Sequence, residues 1–69
     1  SVLASEISKF KNNIITPDDA KLMAQDKYYA QVAYVYEKYE EYLINNNLVD
    51  FDDLLLLTYK ILNENEDLA

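Results

Sequence analysis

The chain contains no glycine and a single proline, Pro17, among its 69 residues. Tight β-hairpins depend on residues that adopt positive φ angles, and glycine adopts them most readily. Apolar residues recur instead at spacings of three and four, which is the period of an α-helix. We therefore predict an all-α fold in which a single domain, residues 1–69, forms a small bundle of four helices.

The predicted helices cover about residues 2–13, 17–24, 26–46 and 51–63, so one helix is short and one is long. In the first helix, the apolar stripe consists of Leu3, Ile7, Phe10 and Ile14. Residues 64–69 have no apolar period and are expected to fray. A chain of this size buries only roughly 60% of the surface that its unfolded form exposes, so we expect marginal stability.

Tyrosine is abundant in the third helix and allows two interpretations. Its wide apolar arc consists of Tyr28, Tyr29, Val32, Val35, Tyr36, Tyr39, Tyr42 and Leu43. Exposed tyrosines can stack on single-stranded bases, but a tyrosine on an apolar arc more often packs its ring in the core. We expect core packing for the arc. Tyr34 lies outside it, and a surface role and an inert surface position are equally open for this residue.

Polar residues mark the ends of several helices. Thr16 directly precedes Pro17 and is the expected N-cap of the second helix. Asp50, followed three positions later by Asp53, has the pattern of a capping box. A metal site at these aspartates has little support, because a calcium-binding loop requires a glycine at its turn. Asparagines at positions 45–47 are expected to end the third helix, since asparagine tolerates the left-handed conformation.

The fourth helix has one broad apolar side, with further leucines beside it. The side expected to fill the core consists of Phe51, Leu54, Leu55, Ile61 and Leu62. At 100° per residue, Leu56 and Leu57 project from that side in opposite directions, and Asp52 points away from the core. We therefore predict that Leu56, Leu57 and Asp52 contribute to an interface with another part of a larger protein.

Composition and charge exclude several classes of function. The chain has no cysteine and no histidine, which removes disulfides, thiolate metal sites and the commonest general base. No apolar run approaches the roughly 20 residues that span a bilayer, so we expect no membrane partner and a cytoplasmic location. The net charge is −7, and residues 30–69 hold two lysines against nine acidic residues. Any DNA contact is therefore expected in the N-terminal half.

Three segments of the chain can be compared with known sequence motifs. They read ISKFKN and IITP at positions 7–17, YYAQVAYVYEKYEEYL at 28–43 and LVDFDDLL at 48–55. These segments resemble UvrD/PcrA/Rep-type superfamily 1 DNA helicases. Their order and spacing resemble subdomain 1B of that family and the segment before its Walker B strand. The resemblance covers about residues 7–62. It implies a parent protein that unwinds DNA with 3′→5′ polarity, driven by ATP hydrolysis, in repair or replication.

The resemblance also implies a division of labour. The sequence has no GxxxxGK[ST] loop and no apolar strand ending in Asp-Glu, so ATP and Mg²⁺ would be bound outside this chain. We expect no catalytic, cofactor-binding or metal-binding residue here, and no ATP hydrolysis by the isolated chain. Its role would be that of an accessory subdomain that positions DNA and braces the remaining helicase subdomains.

Lys11, Lys9 and Asn12 are the candidate DNA contacts, and Lys11 is the first choice because it occupies the lysine of the resembling KN pair. Binding by the chain alone should be weak, because few phosphate contacts are available and the net charge repels DNA. An alternative from another class of function is a free-standing acidic helical interaction module. In that case the edge formed by Leu56 and Leu57 would bind a protein partner.

Overall fold

The computed structural model describes residues 1–65, which form four helices in the order α1 (Val2–Asn12), α2 (Pro17–Met23), α3 (Lys27–Asn45) and α4 (Phe51–Asn65). No β-strand occurs among these residues, and the all-α prediction is confirmed. The helix boundaries lie within two residues of those expected from the sequence. Glu64 and Asn65 continue α4, contrary to the expected fraying there, and residues 66–69 lie outside the described part of the chain.

The core lies where α1 and α2 pack against α3. Ile7, Ala20, Ala33 and Tyr36 are buried together, and the small side chains of the two alanines allow α2 to lie close to α3. The ring of Tyr36 stacks on Phe10 with centroids 5.5 Å apart. Its hydroxyl donates a hydrogen bond of 2.8 Å to the backbone carbonyl of Ile15, between α1 and α2. The core therefore belongs mainly to the first three helices.

The tyrosines of α3 only partly follow the expected core placement. Tyr36 is buried and Tyr39 is half-buried, but Tyr28 and Tyr42 are exposed because α1 and α2 cover only part of the predicted arc. Tyr34 lies outside the packed side, and the ammonium group of Lys38 lies 5.5 Å from its ring centroid. The part of α3 that packs in the core is therefore narrower than the predicted apolar arc.

Two helices end in the same hydrogen-bonded arrangement, which requires one residue at positive φ. At the end of α1, Ile15 N–H donates to Phe10 C=O at 2.9 Å while Ile14 adopts a φ of 58°. At the end of α3, Leu48 N–H donates to Leu43 C=O at 2.8 Å while Asn47 adopts a φ of 54°. The expectation for the asparagines is met at Asn47. Ile14 is β-branched, and a β-branched residue at positive φ is unusual and strained.

The rotation of α4 is the reverse of what its sequence predicts. The helix packs on α1 through the side that carries Asp52, Asp53 and Leu56. The side expected in the core faces solvent, with Phe51 70% and Leu54 49% exposed. Interactions of the two aspartates with α1 fix this rotation, and they act on the polar side of the helix.

The described chain is elongated. Its Cα radius of gyration is 13.7 Å and its principal extents are 47 × 27 × 20 Å. A compact chain of this length would have a radius of gyration of roughly 11 Å. The difference agrees with the position of α4, which lies beside the three-helix core and adds little to it.

Candidate functional site

A buried lysine joins three of the four helices. The Nζ atom of Lys11, on α1, lies 2.6 Å from Glu40 Oε1 of α3, 2.9 Å from Asp50 Oδ2 and 2.6 Å from Asp53 Oδ1 of α4. The hydroxyl of Tyr39 donates a second hydrogen bond to Asp50 Oδ2, at 2.6 Å. We call these five residues the Lys11 cluster. It holds one positive and three negative charges, so its net charge is −2.

Local sequence builds this cluster. Asp50 and Asp53 exchange the hydrogen bonds of a capping box: Asp53 N–H donates to Asp50 Oδ1 at 2.8 Å, and Asp50 N–H donates to Asp53 Oδ2 at 3.0 Å. Each carboxylate thus uses one oxygen for the cap of α4 and turns the other towards Lys11. Thr16 caps α2 in a related way, since its Oγ1 accepts from Asp19 N–H at 3.1 Å.

The cluster shifts the pKa values of its members. Burial alone would lower the pKa of Lys11, but hydrogen bonds to Asp53, Glu40 and Asp50 outweigh it and raise that pKa. Burial would raise the pKa of Asp50, but hydrogen bonds from Tyr39 and Lys11 lower it to about 2. The hydrogen bond to Asp50 raises the pKa of Tyr39 to about 12. The charged forms of Lys11 and Asp50 are therefore favoured at neutral pH.

This geometry counts against the prediction that Lys11 contacts DNA. The residue is only 5% exposed, and its ammonium group is surrounded by three carboxylates. A phosphate would have to displace those carboxylates and approach a cluster that is already negative. Lys9 differs, since its side chain is 71% exposed and makes only a 3.5 Å contact with Glu6. Asn12 is also exposed, so the DNA role of Lys9 and Asn12 stays a prediction.

The carboxylates of Glu40, Asp50 and Asp53 are close enough to hold a metal ion, with one oxygen from each lying within 4.8 Å of the others. The ammonium group of Lys11 already lies among these oxygens. It supplies the positive charge that a cation would bring. We therefore interpret the three carboxylates and Lys11 as a structural ion-pair cluster.

The structure also places the three interface candidates. Asp52 accepts a 2.8 Å hydrogen bond from the Ser8 hydroxyl of α1, so it faces the domain and not away from it. Leu56 is half-buried and lines an open cavity with Ile15 and Tyr36. Leu57 is 53% exposed. Of the three candidates, Leu57 alone has the exposure that was expected of it.

Sequence reasoning missed Tyr39 and Glu40 as partners of Lys11. The prediction for Tyr39 was core packing alone, and Glu40 was not among the predicted site residues. The sequence does indicate that Lys11 has a partner in the fold. Lys11 lies beside the apolar stripe of α1, and the aliphatic part of a lysine at such a position packs along the apolar surface. Which acids meet it depends on how α3 and α4 pack, and helix periodicity does not determine that packing.

Comparison with known proteins identifies the family. The model of the UvrD/REP helicase N-terminal domain matches residues 1–69, the whole chain. The chain belongs to this family. It is 40% identical over 60 residues to the ATP-dependent DNA helicase Rep of Buchnera aphidicola, covering 87% of this chain and 9% of that protein. It is 42% identical over 55 residues to the ATP-dependent DNA helicase PcrA of Staphylococcus epidermidis, covering 80% of this chain and 8% of that protein.

The PcrA helicase of Staphylococcus aureus matches with the same identity and coverage. No solved structure matches the chain. The chain thus spans less than a tenth of the length of these helicase relatives. The chain contains no glycine, so this segment of the domain cannot contain a glycine-rich phosphate loop. Within residues 1–65, none of the helices is both long and apolar enough to cross a membrane.

Proposed function

We propose that this chain is an accessory helical subdomain, similar to subdomain 1B, of an ATP-dependent DNA helicase with 3′→5′ polarity. In this role it positions DNA and braces the motor subdomains, while residues elsewhere in the protein bind ATP and Mg²⁺. The observation that carries the proposal is the match of the UvrD/REP family model to all 69 residues. The relatives named above are ATP-dependent DNA helicases, which supports it.

The geometry supports a bracing role through the Lys11 cluster. One lysine connects α1, α3 and α4 through ion pairs of 2.6–2.9 Å. Such a cluster fixes the rotation of α4 relative to α1, because a small rotation would separate several charges at once. A brace must keep a constant shape while neighbouring parts move. Buried ion pairs that define one arrangement are suited to this task.

The outer surface of α1 is the part of the chain best suited to meet DNA. Lys9 lies two positions from both Ile7 and Lys11, so it projects from the side of the helix opposite the core. Its contact with Glu6 is exposed and long, and such pairs contribute little and are easily exchanged for a phosphate. Asn12, one turn further on, can donate a hydrogen bond from its amide.

A helicase chimera tests the proposal. The segment of the S. epidermidis PcrA helicase that aligns with this chain is replaced by this chain, and ATP hydrolysis and DNA unwinding are measured. We expect the chimera to unwind DNA and a deletion of the segment to abolish unwinding. Lys9→Ala with Asn12→Ala should weaken DNA binding about threefold or more, whereas Lys27→Ala, an exposed lysine on α3, should not.

Unwinding at an undiminished rate after deletion of the segment would refute the proposed role. The alternative, a free-standing acidic interaction module, has one observation in its favour, namely the exposed apolar side of α4. Such a module would bind a protein partner without any helicase polypeptide. A soluble chimera that hydrolyses ATP but unwinds no DNA would favour that alternative.

A further inference from the structure

The fourth helix packs on the domain through its polar side, which is the reverse of an ordinary surface helix. A surface helix normally turns its apolar stripe to the core and its charged residues to water. In α4, Asp52 and Asp53 face the domain through contacts with Ser8 and Lys11. Positions 60, 63 and 64, which are Lys, Asn and Glu, continue the same polar side at 100° per residue.

The opposite side of α4 is apolar and exposed along most of its length. We call it the outer face of α4, and it consists of Phe51, Leu54, Thr58, Ile61 and Leu62, with Leu55 at its edge beside α1. Its apolar side chains, including Leu55, are each about half or more exposed. From residue 51 to residue 62 the face extends about 16 Å at 1.5 Å per residue. A continuous apolar surface of this kind indicates an interaction site.

We propose that the outer face of α4 is the surface through which this chain docks on the remainder of the same helicase polypeptide. The inference rests on the proposed function and adds the docking face to it. The residues differ from those expected from the sequence, since Asp52 and Leu56 lie on the inner side of the helix. The partner is an apolar surface, because the outer face has no charged residue and only one polar residue, Thr58.

Two observations and one general argument favour an intramolecular partner. The chain spans 9% of the Rep relative and 8% of the PcrA relatives, so proteins of this family contain ample polypeptide for the docking. A second copy is disfavoured because each chain carries a net charge of −7 and two copies repel one another. A partner within the same polypeptide also avoids most of the entropy that a separate molecule loses on association.

The Lys11 cluster keeps the outer face available. If α4 were free to rotate, burying its apolar side on α1 and α3 would be favourable. The ion pairs from Lys11 to Asp50 and Asp53, with the hydrogen bond from Ser8 to Asp52, hold the opposite side against the domain. The polar contacts thus orient the helix so that its apolar side remains free for docking.

Hydrogen exchange of the α4 amides tests the inference. The isolated chain is compared with the PcrA chimera described above, and residues 54–62 are followed. We expect exchange to be at least about tenfold slower in the chimera. Leu54→Lys with Leu62→Lys should remove that protection, whereas the control pair Leu22→Lys with Ile44→Lys, two exposed apolar residues outside α4, should leave it.

Two further measurements on the isolated chain test whether the outer face of α4 is free of contacts. In the isolated chain, Leu54→Lys with Leu62→Lys should leave the melting temperature within about 3 °C, since both side chains are already exposed. A large drop would mean that the face packs within this chain and would overturn the inference. Sedimentation of the isolated chain should show a monomer, and a dimer that Leu54→Lys abolishes would overturn it in favour of a second copy.

The outcomes separate this inference from the proposed function. A chimera that unwinds DNA while its α4 amides exchange as fast as in the isolated chain overturns the inference and leaves the helicase role intact. A chimera with protected α4 amides that fails to unwind DNA supports the docking face and counts against the helicase role.

Discussion

The hydroxyl of Tyr39 donates a hydrogen bond to Oδ2 of Asp50 at 2.6 Å, and Asp50 is the residue that caps α4. The same Oδ2 atom lies 2.9 Å from Lys11 Nζ. The carboxylate of Asp50 therefore caps α4 and also contacts two other helices, α1 through Lys11 and α3 through Tyr39.

The first prediction concerns the removal of the buried cation. Lys11→Met keeps most of the side-chain volume but leaves three carboxylates close together without a positive charge. We expect the free energy of unfolding to fall by about 3 kcal/mol, as when one partner of a buried ion pair is removed. Urea denaturation followed by circular dichroism measures this. Lys9→Met is the control and should change stability by less than about 0.5 kcal/mol; equal losses in the two variants would contradict the assigned role of Lys11.

A second prediction follows from the lowered pKa of Asp50. Burial raises that pKa, but hydrogen bonds from Tyr39 and Lys11 lower it on balance from 3.8 to about 2. The folded state therefore binds the proton less tightly than the unfolded state, and the stabilisation is complete above about pH 4 and is lost as the pH falls towards 2. Allowing for solvent screening of the partly exposed carboxylate, the loss should be about 1–2 kcal/mol.

Urea denaturation of the chain and of Asp50→Asn across pH 2–6 provides the measurement. Asparagine does not titrate, so the variant should be less stable at pH 6 and should lose less stability on acidification. Parallel curves for the two proteins would show that Asp50 does not carry the acid sensitivity.

The third prediction applies at high pH. The hydrogen bond to Asp50 raises the pKa of Tyr39 from 10.0 to about 12. The folded state holds the phenolic proton more tightly than the unfolded state, so this stabilisation is complete below about pH 10 and is lost as the pH rises towards 12. Lys11, whose pKa is also raised, acts in the same direction. Thermal melts between pH 8 and 11.5 should show a steeper decline for the natural chain than for Tyr39→Phe. Tyr42→Phe, at an exposed position, should retain the natural slope.

Local sequence predicted much more of this fold than of its site. Helix starts at Thr16 and Asp50 follow from residues within one turn, so the sequence identifies them directly. The rotation of α4 depends on Lys11, which lies about 40 positions earlier in the chain. Apolar periodicity identified the outer face of α4 correctly as a face, but it assigned that face to the core. That rule fails for α4 because polar contacts from Lys11 and Ser8 hold the opposite side of the helix against the domain.

The fourth prediction concerns backbone strain at the end of α1. Ile14 adopts a φ of 58°, where the β-carbon of an isoleucine is crowded by the backbone. Glycine adopts this conformation without that cost, and Ile14 is largely exposed, so little packing is lost. We expect Ile14→Gly to stabilise the chain by about 1 kcal/mol. Ile15→Gly, next to it but without positive φ, should destabilise it, and a loss of stability in both variants would contradict the strain at Ile14.

The last prediction compares two leucines on opposite sides of α4. Leu56 is half-buried beside Ile15 and Tyr36, whereas Leu54 is 49% exposed on the outer face. In the isolated chain, Leu56→Ala should therefore cost about 1–2 kcal/mol and Leu54→Ala less than about 1 kcal/mol, well below the cost of a fully buried leucine. Thermal melts of the two variants give the comparison. In the PcrA chimera the cost of Leu54→Ala should rise, because docking buries that side chain. If Leu54→Ala is already the more damaging change in the isolated chain, then α4 packs through its apolar side and the Lys11 cluster does not determine its rotation.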